Sequence, residues 1–291
     1  MKATERQRQE YDSFGPWLLE IKSSDEVPDA FAERFTMDDS VVRALKIPRK
    51  VERRNARPGD LLYDYILVLY DDRLHFMNST DPSEDVAVQY TTVVALRKSV
   101  DLLHGELVLF MAQNTISVPF NSVSENLVDE IVDYLELQCG STETSPLPEP
   151  NADIKPLSIL QTNLLNKEKK RFEPAVIACQ PTIKTDKMEK NFWETITGLL
   201  FAWTVREFMI LATEKELIIY SSIPEVSHFP KGHYGYSRTY ISRARIDEVA
   251  SSASAVFDAV MDLTFTVTGE KLTFQTGGDG IPAGLLAAAK S

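Results

Sequence analysis

The densest concentration of chemically useful side chains is the segment KIPRKVERRNARPGD (46–60). From Arg43 to Arg57 seven basic residues stand against one acid, Glu52, so this stretch carries +6 in a chain whose net charge is −12, leaving −18 for the remainder. Forked guanidinium donors suit phosphate and carboxylate oxygens, which makes Lys46, Arg49, Lys50, Arg53, Arg54 and Arg57 candidates for binding an anion or an acidic partner. The same run also reads as a solvated loop that pairs with the acidic remainder.

A second concentration lies at HFPKGHYGYSRTYISRAR (228–245), where basic residues alternate with tyrosines. Such interleaving can bind single-stranded nucleic acid, but two glycines in a tyrosine-rich loop more often form a long hairpin packed on a neighbour. His228 and His233 are five residues apart with no third ligand nearby, so no metal site is expected. The apolar run ITGLLFAW (196–203), preceded by Trp193, reads as core or interface. With the tyrosines it yields a secondary candidate surface of Trp193, Phe201, Trp203, Tyr234 and Tyr236.

Other chemistry has no signature. There is no phosphate-binding glycine loop, no dinucleotide fingerprint, no H-E-x-x-H, no G-x-S-x-G and no C-x-x-C. No cofactor and no catalytic residue is expected. An enzyme with a site between two domains, lacking any short motif, is the alternative. Two cysteines, Cys139 and Cys179, make no disulfide framework. The acidic balance disfavours nucleic acid. The first residues, MKATERQRQEYD, lack the apolar core of a signal peptide, so the expected location is cytoplasmic, with peripheral membrane contact as a variant.

The elements that must position these residues are strands, and they come in two similar sets. YILVLYDDRLHFMNS (65–79) and FMILATEKELIIYSS (208–222) are both an apolar strand, a charged turn and a second strand. Strands VVRALKIP and AVIACQP precede them and further alternating strands follow. In all, strands are expected near 41–47, 63–70, 73–78, 86–91, 93–101, 106–112 and 115–120, and again near 175–180, 206–213, 216–221, 236–243, 245–252, 260–268 and 271–276. Ser122 and Glu125 read as a capping box ahead of a helix with Leu127, Val128, Ile131, Val132 and Leu135 on one stripe. The proline-rich stretch 139–156 reads as a linker. The expected organisation is an N-terminal extension (1–37) packing on a first module through Trp17, Leu18, Leu19 and Ile21, that module (38–138), the linker, and a second module with a leading helical stretch (157–291).

The hairpin ILATEKELIIY (210–220), the step Ile246-Asp247-Glu248-Val249 and the closing strands with a glycine turn resemble bacterial pleckstrin-homology (PH)-like and GRAM-type domains. The resemblance covers about three-quarters of the chain. It implies a mostly β (α+β) fold of two seven-stranded bent barrels, each capped by a C-terminal helix. It implies a non-catalytic binding or assembly protein whose partner is another protein, a second copy or an anionic membrane. In lipid-binding members the loop between the first two strands carries phosphate-gripping basic residues, and residues 46–57 fall there. Those members also carry a basic residue early in the second strand, and residues 61–70 contain none.

Overall fold

A computed structural model describes residues 3–140, 143–148, 156–185, 203–228 and 235–278. The described residues are mostly β, in several antiparallel sheets, none of which closes on itself. No helix among them is long and apolar enough to cross a membrane. Contacts group the chain into two units. One holds residues 1–93, 103–107 and 117–139; the other holds 94–102, 108–116 and 140–291. The segments 94–102 and 108–116, within the first module of the sequence reading, thus belong by their contacts to unit 2.

Unit 1 begins with helix α1 (Glu5–Ser13), capped by a reciprocal Thr4–Gln7 box, and the two-residue strand β1 (Leu19–Glu20). Strands β2 (Val41–Pro48), β3 (Tyr63–Tyr70), β4 (Arg73–Asn78) and β5 (Val86–Gln89) follow, and the sheet runs β1-β2-β3-β4-β5. The β3–β4 hairpin forms because two apolar runs flank Asp71-Asp72, acids that favour a turn. Both faces of this sheet are buried, which is why its strands read as continuous apolar runs rather than clean alternation. On one face Ala44, Ile66, Val68 and Met77 pack with Phe14, Ile21, Val27, Phe31 and Phe35 of the N-terminal extension. From the other face Leu45, Leu67, Leu69 and Leu74 are buried. Trp17, expected to anchor the extension, is 36% exposed; Phe14 takes that role, its ring edge-on to Tyr63 at 5.9 Å.

Next come β6 (Val93–Asp101), β7 (His104–Met111) and β8 (Asn114–Asn121), a three-strand meander. Leu107 and Leu109 are fully buried on β7, and Pro119 lies on β8, which ends its sheet, where a missing N–H is tolerated. Helix α2 (Glu125–Cys139) then buries Val128, Ile131, Val132 and Leu135 as its stripe requires. Its entry differs from the expected capping box. Asn121 caps a preceding single 3-10 turn by accepting from Val123 N, and the Ser124 hydroxyl accepts from Leu18 N at 2.9 Å.

In unit 2 helix α3 (Ile159–Glu168) starts with a reciprocal Ser158–Gln161 capping box. Strands β9 (Ala175–Gln180), β10 (Ile183–Thr185), β11 (Trp203–Val205), β12 (Phe208–Ala212), β13 (Glu216–Ile223), β14 (Val226–His228) and β15 (Gly235–Ser242) follow. β9, β12, β13 and β15 lie side by side, and β10, β11 and β14 form a small sheet of their own. β15 pairs with β6 from Tyr236↔Val100 to Ile241↔Ala95. Last come β16 (Ile246–Ala253), β17 (Val260–Val267) and β18 (Glu270–Gly277) in a three-strand meander. The β17–β18 turn is Thr268-Gly269, both at positive φ, the backbone that a two-residue hairpin turn needs. The core of the unit is Ile177, Phe208, Ile210, Leu217, Ile219, Ile241, Leu263, Phe265 and Phe274 with Val94 and Ala95. The described part of the proline-rich stretch is tied down. Ser145 N donates to Glu214 O at 2.8 Å, and Arg243 donates to Pro146 O and Thr213 O at 3.1 and 2.9 Å.

Candidate functional site

The basic segment connects β2 to β3. It is a folded loop: Arg49 N bonds Leu62 O, a 3-10 turn forms at Arg53–Asn55, and Gly59 takes φ +98 to close a turn in which Arg57 N donates to Asp60. Ala56 is buried and Val51 packs on the core, so the loop is held down along its length. Its cations meet carboxylates. Arg49 lies 3.6 Å from Asp64, Arg53 3.9 Å from Asp12 and over the Tyr11 ring at 5.3 Å, and Arg54 pairs with Glu52. Upstream, Arg43 bridges Glu20 and Glu130 at 3.1 and 2.7 Å. Lys50 and Arg57 are exposed and, among the described residues, have no ion-pair partner within 4 Å.

Lys46 is separate from this group. It sits on β2 opposite Leu19 and Ile66, is only 6% exposed, and points inward. Its ammonium donates to Glu26 O at 3.2 Å and lies 5.3 Å from the centre of the Tyr63 ring. It lines a cleft of about 310 Å3 with Arg6, Gln9, Glu10 and Ser13 of α1, Leu19 and Glu20 of β1, and residues 25–28. The α1 contribution follows helical spacing, 6, 9/10 and 13, which puts these polar side chains on one face. Burial lowers the Lys46 ammonium from its ordinary range, with Glu10 and Glu26 opposing, and raises the Glu10 carboxyl, with Lys46 opposing. Tyr63 is pushed up to about 12, chiefly by burial, with Ser13 beside its hydroxyl opposing. Sequence reasoning placed Lys46 in the charge run and missed Glu10. The available signal was the apolar neighbours Leu45 and Ile47, which mark a buried strand on both faces.

Of the secondary candidates, Trp193, Phe201 and Tyr234 lie outside the described residues. Trp203 is half-buried on β11 with its ring 5.2 Å from Phe257, and Tyr236 is half-buried on β15 with its ring 6.5 Å from Tyr220. Beside Tyr220 lies a buried ionic network. Glu168, at the end of α3, is fully buried; it accepts from the Tyr220 hydroxyl, with Arg238 Nε at 3.1 Å and Arg171 Nη1 at 3.7 Å. Arg238 also stacks over Tyr240 at 4.4 Å. This network fastens the end of α3 to β13 and β15. Cys139 and Cys179 are both buried and in no disulfide, and among the described residues no group of three or more His, Cys, Asp or Glu side chains is placed to hold a metal ion.

Comparison with models of known protein families and with characterised proteins finds no match for this chain.

Proposed function

We propose that this chain is a non-catalytic binding or assembly protein built of two PH-like modules, and that its partner presents an acidic protein face to the β2–β3 loop. One observation carries the reading. Residues 41–139 run as four meandering strands, three meandering strands and an amphipathic helix; within residues 175–277, β9, β12, β13 and β15 form a similar four and β16–β18 a similar three, with the small sheet of β10, β11 and β14 inserted in the four. That succession is the one the PH-like resemblance implies. The helix expected to cap the second module falls outside the described residues.

The loop geometry favours a protein over a lipid headgroup. Five cations (Arg49, Lys50, Arg53, Arg54, Arg57) stand among four carboxylates (Asp12, Glu52, Asp60, Asp64). A phosphate cluster needs converging, unopposed cations, whereas exchange of existing ion pairs with an acidic protein face contributes register and specificity more than affinity. The test measures binding of a polyglutamate peptide and of anionic and neutral vesicles to wild type and to a variant with Ala at the five positions. Peptide binding that weakens with salt and vanishes in the variant supports the proposal. Sedimentation with anionic vesicles alone reassigns the loop to membranes. Binding that is unchanged in the variant removes the loop from the function.

A further inference from the structure

We propose that the cleft between α1 and β2 is a binding site for a small zwitterion of the amino-acid class, with the ligand carboxylate on Lys46 and its ammonium on Glu10. The site is independent of the β2–β3 loop and of the partner proposed for it.

Most charges in the cleft already have partners. Arg6 donates to Val27 O and lies 3.4 Å from Asp29. Glu20 pairs with Arg43, and Glu26 accepts from Lys22 N at 2.8 Å. Asp25 has no partner among the described residues but is exposed to water, so of the charges withdrawn from solvent Lys46 and Glu10 remain. Lys46 has one carbonyl acceptor for its three protons and, among the described residues, no carboxylate within 4 Å. No described donor reaches the Glu10 carboxylate. The two groups feel each other electrostatically yet do not touch. A separated pair of opposite charges at a partly buried site is costly, because each has lost water without an opposite charge in contact.

A ligand of single sign would leave one of the two uncompensated. An anion would satisfy Lys46 but face Glu10, Glu20, Asp25 and Glu26; a simple cation would satisfy Glu10 and leave Lys46 as it is. A neutral polar molecule would compensate neither charge. A molecule bearing both a carboxylate and an ammonium satisfies both ends. The volume of about 310 Å3 lies at the small end of the range for small-molecule sites, as an amino acid requires. A second observation points the same way. Tyr63 is 1% exposed and its ring lies under the Lys46 ammonium, so the floor of the site attracts a cation without neutralising it. Leu19, Val27 and Pro28 offer an apolar wall for the ligand side chain.

The experiment is a thermal-shift screen of the full chain against the free proteinogenic amino acids, followed by calorimetric titration of the strongest. The N-acetyl and methyl-ester derivatives of that amino acid, Glu10→Gln and Lys46→Met serve as controls. The expected result is saturable binding of the free amino acid and at least about tenfold weaker binding of both capped forms, since each leaves one buried charge unpaired. Glu10→Gln is half-exposed on a helix and should fold normally. It should lose the discrimination against the N-acetyl form while keeping that against the ester, and Lys46→Met should do the reverse. No shift from any amino acid, equal binding of the capped forms, or unchanged discrimination in Glu10→Gln would overturn the proposal.

Discussion

Removing the charge of Glu168 should unfold unit 2 far more readily than its single-atom change implies. The carboxylate is fully buried, and its partners are the Tyr220 hydroxyl and two guanidinium groups, one of which, Arg238, is itself only 3% exposed. Glu168→Gln keeps the shape and removes the anion, leaving Arg238 as a buried cation without compensation. Breaking one side of such a pair costs about 3–5 kcal/mol. With a urea slope of about 2 kcal/mol per molar, the midpoint should fall by roughly 1.5–2.5 M. Replacing both partners, Glu168→Leu with Arg238→Met, removes the ion-pair desolvation cost together with the attraction, and should leave only the cost of the buried Tyr220 hydroxyl that loses its acceptor, about 1–3 kcal/mol. The assay is urea unfolding followed by circular dichroism of the wild type and Glu168→Gln, and of Glu168→Leu, Arg238→Met and their double, the last three analysed with the wild type as a cycle. If Glu168→Gln lies within about 1 kcal/mol of wild type, the network is not what fastens α3 and the reasoning fails.

Three further outcomes follow from described geometry. Burial raises the Glu225 carboxyl above its ordinary 4.5, only partly offset by the hydrogen bond from Gln275 N. The folded state therefore holds this proton more tightly, and stability should fall as pH rises from about 4.5 towards the raised value. Glu225→Gln should flatten that part of a stability-against-pH curve. Phe31 is fully buried among the N-terminal core residues, so Phe31→Ala should cost about 3–5 kcal/mol by denaturant titration. Gly105 gives its space to the Phe120 ring, so Gly105→Ala should cost about 1–3 kcal/mol by overpacking, read as a lowered melting temperature.

What could be read from the sequence was local. The hairpin at 63–78 is visible because Asp71-Asp72 interrupts two apolar runs, and the α2 stripe because 128, 131, 132 and 135 recur at helical spacing. Long-range events were not. Nothing local distinguishes Phe14, which is buried, from Trp17, which is not; only the packing of the extension on Tyr63 does. Lys46 looks like the start of a solvated charge run, yet β2 continues to Pro48 and turns its ammonium under α1. The Glu168–Arg238 pair is formed by residues distant in sequence, which no short spacing can reveal.

The pairing of β15 with β6 bears on how the chain is made and how it can be cut. β6 precedes the proline-rich stretch and β15 follows it, so unit 2 draws strands from both sides of the apparent boundary. During synthesis β6 must wait, one edge unpaired, until β15 has left the ribosome. A fragment beginning at the proline-rich stretch would lack that strand. It would bare the backbone donors and acceptors of Tyr236–Ile241 as a ready template for intermolecular pairing. A cut at the proline-rich stretch therefore divides unit 2 itself.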